Sequence, residues 1–319
     1  MLSYLLRRLL FALALVFTVS SASLLLTRLA PGDYATDALG IGASRARLAD
    51  MRARYGLDRP IAAQYRDWLA GMLRLDFGRS LAYDRPVMDL IPGRAANTAI
   101  LAAAALLLAT LIGLPLGIVS GSRPGGAASG LIRAGSVVLL SLPPLLMSLL
   151  LVFAAARTGW LPIGGMQSGS WPGTGGGAAL LDRLRHLVVP VLALGLPLAA
   201  MFERLQSEAI HEALGQPYVT AALARGVPRS RVVWRDALKA ALGPVASVYG
   251  LVVGSLLSGS FAVEMITAWP GLGRLMFEAL RARDVYLVAG CAAAGSLFLA
   301  CGTLLSDAAL ALVDPRARE

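Results

Sequence analysis

The sequence predicts an all-α integral membrane protein with six transmembrane helices. Of 319 residues, 57% are hydrophobic and only 15% are charged, with a mean hydropathy of +0.68. That is too little charge to cover a water-soluble surface of this size. The charges are also clumped. Between the clumps lie apolar windows near the ~20 residues that cross roughly 30 Å of hydrocarbon as a helix.

The windows fall at residues 9–27, 95–122, 134–156, 187–202, 240–263 and 285–306. The first follows Arg7 and Arg8 like a secretory signal, but five more spans follow and no small-residue cleavage site closes it, so it reads as a retained helix. The fourth has only 16 residues before Glu203 and Arg204, two charges expected to sit near a helix end and reach toward the interface. A further charge-free window, 158–181, holds 10 Gly or Pro residues among its 24. It reads as an irregular loop, because such a backbone cannot satisfy itself in lipid; Trp160 and Trp171 are expected at the interface. Three regions result: an N-terminal span over 1–29, an extracytoplasmic insertion over 30–94, and a five-helix core over 95–319.

Six spans put both termini on one side. Counting Arg and Lys gives 12 on that side and 17 on the other, but 11 of the 17 belong to the long segment 28–94, and long segments translocate regardless of charge. Without it the count favours cytoplasmic termini. The formal charge of +10 comes from 28 Arg and the single Lys239. These flank apolar spans, which points to lipid and away from nucleic acid.

Within the insertion, "RPIAAQYRDWLAGML" reads as an amphipathic helix with Ile61, Tyr65, Trp68, Leu69 and Met72 on one side. It either caps a pore or forms a self-contained subdomain. The segment 203–239 is the longest on the cytoplasmic side. Pro217 suits a first helical turn, a short helix runs to Arg225, Gly226 takes a left-handed cap, and Pro228 blocks continuation. Tyr218, Ala221, Ala222 and Arg225 fall on one face, small enough and of the right types for a partner to approach; a solvated surface connector fits the same pattern. A second amphipathic helix is expected from Arg229 to near Pro244.

This segment, "YVTAALARGVPRSRVVWRDALKAALGP", resembles the cytoplasmic loop of ABC-importer permeases that carries the E-A-A-x-x-x-G motif. More narrowly it resembles the dipeptide/oligopeptide/nickel permease family. Thr220, Ala221, Ala222 and Gly226 match the motif, with Thr220 in place of its Glu, and of Asp236, Leu238 and Lys239 in the later I-x-L-P region only Leu238 agrees. The strings "YLLRRLL", "RLAPGD", "YGLDRPIAAQYRDWLAGMLRLDFGRSL", "LPIGG", "AWPGLGRLMFEALRARD" and "DPRARE" agree along nearly the whole chain. Tyr286 stands where the family usually has a proline.

The resemblance implies that the short helix between the fourth and fifth spans is a coupling helix. It would seat in an ATPase subunit through Tyr218, Thr220, Ala221, Ala222, Arg225 and Gly226. It also implies a second, different permease chain, two ABC ATPases carrying ATP and Mg, and an extracytoplasmic solute-binding protein. No cofactor or metal is expected on this chain, which is read as a transport subunit and not an enzyme. The residues agree: a P-loop needs Gly-Lys, and the only lysine, Lys239, follows Leu238. The expected cargo is a di- or oligopeptide, with nickel or a metal chelate, or a stand-alone channel or secondary transporter, as alternatives. Secondary transporters show mid-span charges and paired repeats, which are not evident here.

Asn97, Pro143, Pro144, Pro197 and Glu264 are pore or gate candidates, since polar groups and prolines in spans mark pathways. For Asn97 helix capping is the alternative, for Glu264 an outer arginine, and for the prolines, Pro115 included, plain packing. Asp307 reads as interfacial. His186 and His211 are expected on opposite sides of the membrane, unable to share a metal. Cys291 and Cys301 lie ten helical residues apart, about 15 Å, too far for a disulfide.

Overall fold

The computed structural model describes residues 2–40, 42–168 and 177–313. Trp171 and the terminal "DPRARE" lie outside them. Every named element among the described residues is helical, and a lone antiparallel bridge joins Arg79 and Pro86. Two compact units emerge. One comprises Met1–Thr98 with Pro270–Ala300, the other Ala99–Trp269 with Cys301–Glu319. The first unit joins the N-terminal span and the insertion to a segment from the far end of the chain.

That first unit holds α1 (Leu2–Leu29), α2 (Tyr34–Leu39), α3 (Arg45–Arg54), α4 (Ile61–Met72), the start of α5 (Val87–Ser122), α12 (Leu272–Arg281) and most of α13 (Val285–Val313). Asp33 caps α2 through a reciprocal box with Thr36 and pairs with Arg52 at 2.6 Å. Burial pushes its pKa up, but the Arg52 and Thr36 hydrogen bonds outweigh that and hold the carboxyl below its usual range. The amphipathic reading of α4 holds for Tyr65, Trp68, Leu69 and Met72, which pack with Leu24, Phe77 and Leu275, while Ile61 stays exposed. Tyr65 donates to Ser21 Oγ at 3.1 Å, and Arg28 reaches the Gln64 side chain.

Asp284 is the polar anchor of this unit. Wholly buried, it accepts from Ser80 Oγ at 2.5 Å, the Ala82 N–H at 3.0 Å and the Leu287 N–H at 3.1 Å. It thereby caps α13 and clamps the tight turn after Gly78, whose Cα faces the Tyr286 ring. Tyr286 therefore packs the entry of α13 where a proline would leave a gap. Asp284→Ala orphans three donors, two of them buried, and is expected to cost about 3 kcal/mol. The check is a fall in unfolding temperature of the detergent-solubilised protein, with Asp284→Asn losing less.

The second unit holds the rest of α5, α6 (Ala127–Ser141), α7 (Pro144–Thr158), α8 (Gly177–Leu214), α9 (Pro217–Ala224), α10 (Arg229–Arg231), a π-helical turn Val232–Ala237, and α11 (Leu238–Ile266). Its seam is glycine. Gly113, Gly117 and Gly121 recur every four residues along one face of α5. A Cβ on them would lie 2.5, 2.6 and 2.4 Å from the backbone oxygens of Ala199, Glu203 and Ser207 on α8. Helices in lipid have no hydrophobic drive toward each other and rely on such close packing. Beside the seam, Phe202 stacks on Tyr249 at 5.0 Å, and the Tyr249 hydroxyl meets Thr110 Oγ1 at 2.6 Å.

Among the described residues, five helices are long and apolar enough to cross a membrane, and a sixth span results if α6 and α7 are counted as one. The expected single span 134–156 is broken: α6 and α7 meet at 101°. Pro143 and Pro144 do more than kink it. Leu142 turns extended at the end of α6, and Pro143 and Pro144 form the N-cap and first turn of α7, consistent with the missing N–H and fixed φ of proline.

Other expectations need correction. The fourth span does not end at Phe202, and the loop 158–181 is shorter than expected. α8 starts at Gly177 and runs 38 residues, roughly 57 Å, straight past Glu203 and Arg204. Glu203 does not reach for the interface: it is 2% exposed and accepts from Ser120 and Ser136 hydroxyls at 2.5 and 2.6 Å. The amphipathic helix expected to end near Pro244 instead passes through the π turn into α11, with Pro244 inside it.

Candidate subunit-docking site

The loop after α8 folds as its punctuation dictates. Gln216 is extended, Pro217 occupies the first turn, and α9 runs to Ala224. Three bonds close it: Arg225 N–H to Ala221 O at 3.2 Å, Gly226 N–H to Leu223 O at 2.9 Å and Val227 N–H to Ala222 O at 3.2 Å. Gly226 sits at φ +80°, with nothing within 4 Å of where a Cβ would be. Conformation, and not space, requires glycine there. Pro228 then redirects the chain into α10.

α9 has an inner and an outer face. Val219 and Ala222 are buried against Val232, flanked by Leu214 and Val227. Tyr218, Thr220, Ala221, Leu223 and Arg225 are exposed. Of the coupling residues expected from sequence, Tyr218, Thr220, Ala221, Arg225 and Gly226 all lie open to a partner. Ala222 does not. It was expected beside Tyr218 and Ala221 but turns inward, because so short a helix needs an apolar anchor and Val219 alone is too small a patch. Leu223 was missed; its exposure, with a large apolar side chain, is the signal that sequence position alone did not give. Arg229 donates to Ser122 O at 3.1 Å, tying the loop to the end of α5.

The remaining candidates scatter. Asn97 lies inside α5, and its amide donates to Pro270 O at 2.8 Å. Glu264 is fully buried near the end of α11. Pro143 and Pro144 form the α6–α7 break, and Pro197 lies half-buried inside α8. His186 and His211 share α8, 25 residues and roughly 37 Å apart. Among the described residues no cluster of three or more His, Cys, Asp or Glu could hold a metal ion. Outside the spans, Tyr83 donates to Glu278 at 2.7 Å; burial and that bond push its hydroxyl up to about 12.

Long apolar helices with a glycine seam, joined to a short helix with one buried and one exposed face, define a multi-pass membrane subunit. Residues 113–319 match the binding-protein-dependent transport system inner membrane component family, and residues 1–102 match its membrane-component N-terminal region. The chain belongs to this family: it is an ABC-transporter permease, a transport subunit and not an enzyme. It is 31% identical to the oligopeptide transport system permease protein AppB of Bacillus subtilis, with 99% of each chain covered. It is 32% identical to the glutathione transport system permease protein GsiC of Pectobacterium atrosepticum, covering 100% of this chain and 99% of that one. The dipeptide transport system permease protein DppB of Alkalihalophilus pseudofirmus is 30% identical, again over 99% of each.

Proposed function

We propose that this chain forms half of the translocation pore of an ATP-driven peptide importer, pairing with a second, different permease chain. The exposed face of α9, carried by Tyr218, Thr220, Ala221, Leu223 and Arg225, docks on one of two ABC ATPases. ATP and Mg reside on those ATPases. A solute-binding protein delivers cargo on the extracytoplasmic side, and both termini lie in the cytoplasm.

The observation that carries this reading is the two-faced α9. A solvated connector would need no buried anchor, yet Val219 and Ala222 are held against Val232 and fix the helix so that its outer face can be pushed. Nucleotide can bias the pore only through contacts that differ between states, and a rigid surface helix supplies such a contact. Peptide cargo rests on the names of the relatives, which include oligopeptide and dipeptide permeases.

The test is reconstitution of the chain with its second permease, ATPases and binding protein in vesicles. ATP-dependent uptake of labelled oligopeptide, absent without the binding protein, is the expected result. Uptake of nickel but not peptide, or uptake independent of ATP, overturns it.

A further inference from the structure

The glycine seam between α5 and α8 permits close approach but supplies no ridges. Gly113 and Gly117 leave hollows on α5 that face Phe202 and Gln206 of α8, whose Cβ atoms lie 2.8 and 2.6 Å from where glycine Cβ atoms would be; these contacts carry no directional bond. Helix packing normally sets how far a helix sits along its own axis by ridges entering grooves. A directional bond beside that packing would fix the position more firmly.

We propose that Glu203 is the positioning residue that pins α8 axially to α5 and α6, so that displacement of α9 is passed to both helices. This rests on the docking role of α9. Both carboxylate oxygens are engaged in different directions: one accepts from Ser120 on α5 at 2.5 Å, the other from Ser136 on α6 at 2.6 Å. Hydrogen bonds to a carboxylate are short and directional; they add a resistance to sliding that apolar packing alone does not supply. Arg133 on α6 adds a bond to Ser120 O at 3.5 Å, drawing the two serine-bearing helices together.

Position supports a mechanical role. Glu203 lies eleven residues before the end of α8 at Leu214, and α9 begins three residues later at Pro217. One turn beyond Glu203, Gln206 is wholly buried, and neither of its amide atoms has a hydrogen-bond partner. The neighbouring polar side chain therefore adds no hold of its own, and directional bonding between these helices is concentrated at Glu203. A buried carboxylate is costly, and an apolar residue would pack the same volume more simply. Beside it, a cavity of ≈ 340 Å³ opens between α6 and α8, lined by Val137, Leu140 and Ser207 among others. Packing between α6 and α8 is thus incomplete where the pin sits.

The experiment compares Glu203→Ala, Glu203→Gln and the double variant Ser120→Ala/Ser136→Ala in the complete reconstituted importer, reading ATP hydrolysis, uptake and complex assembly separately. Glu203→Ala is expected to keep ATP hydrolysis within about twofold while uptake falls about tenfold, a coupling loss of the usual allosteric size. The serine double variant should match it. Glu203→Gln, which can still bond both hydroxyls, should restore most of the coupling. A parallel fall in hydrolysis and uptake, loss of assembled complex in Glu203→Gln and in the serine variant, unchanged coupling in Glu203→Ala, or a Glu203→Gln as damaging as Glu203→Ala each overturns the proposal. If Glu203→Ala alone fails to assemble, the serine variant decides between the same outcomes. Failure of the docking reading looks different: substitutions on the outer face of α9 would leave hydrolysis coupled whatever Glu203 does.

Discussion

Replacing Gly226 with proline is expected to leave membrane insertion intact and to uncouple ATP hydrolysis from uptake. The residue sits at φ +80°, and proline is locked near −65°. Its N–H donates to Leu223 O at 2.9 Å, a bond proline cannot make. The last turn of α9 and the start of α10 must therefore rearrange. Insertion depends on the apolar spans and is untouched. Uptake should fall by about tenfold or more while ATP hydrolysis persists. Gly226→Ala is a graded companion: a left-handed alanine costs about 1–2 kcal/mol, so partial uncoupling is expected. Membrane-localised protein with normal uptake in Gly226→Pro would refute the coupling role of α9.

Gly117→Leu should have the largest effect on the fold. A Cβ at Gly117 would lie 2.6 Å from both Glu203 O and Gln206 Cβ. The first contact is backbone, so α8 must be displaced bodily, and the rest of the leucine adds to it. Overpacking of this kind costs about 3 kcal/mol, and here it also breaks the seam on which α8 rests. Loss of monodisperse protein after solubilisation is the expected readout. Gly135→Leu on α6 is the control, because nothing lies within 4 Å of its Cβ position and its stability should stay near wild type.

The docking loop was the most legible part of the chain because its signals are local. Pro217, Gly226 and Pro228 each act on their own backbone, and α9 begins and ends where they dictate. The errors came where the deciding partner is distant. Glu203 resembled the end of a span because a charge between apolar runs normally seeks water; its actual partners, Ser120 and Ser136, lie 83 and 67 residues away. Asp284, not singled out from sequence, likewise depends on a distant partner, its hydroxyl donor Ser80 being 204 residues away. Asn97 resembled a cap because α5 starts well before the apolar window, at Val87, over residues charged enough to pass for a loop. Pro143 and Pro144 fit a kink within one span; the 101° break depends on packing no dipeptide encodes. Ala222 was misplaced because a helical wheel gives faces and not which one turns inward.

The most direct test is site-specific cross-linking in intact membranes containing the assembled importer, in a chain carrying Cys291→Ala and Cys301→Ala. Single cysteines placed at Ala221 and Arg225 are predicted to join the ATPase subunit, whereas one at Val219, buried under Val232, should not. Labelling of residues 221 and 225 by an impermeant reagent from the extracytoplasmic side, or the absence of any adduct with the ATPase, would contradict the account.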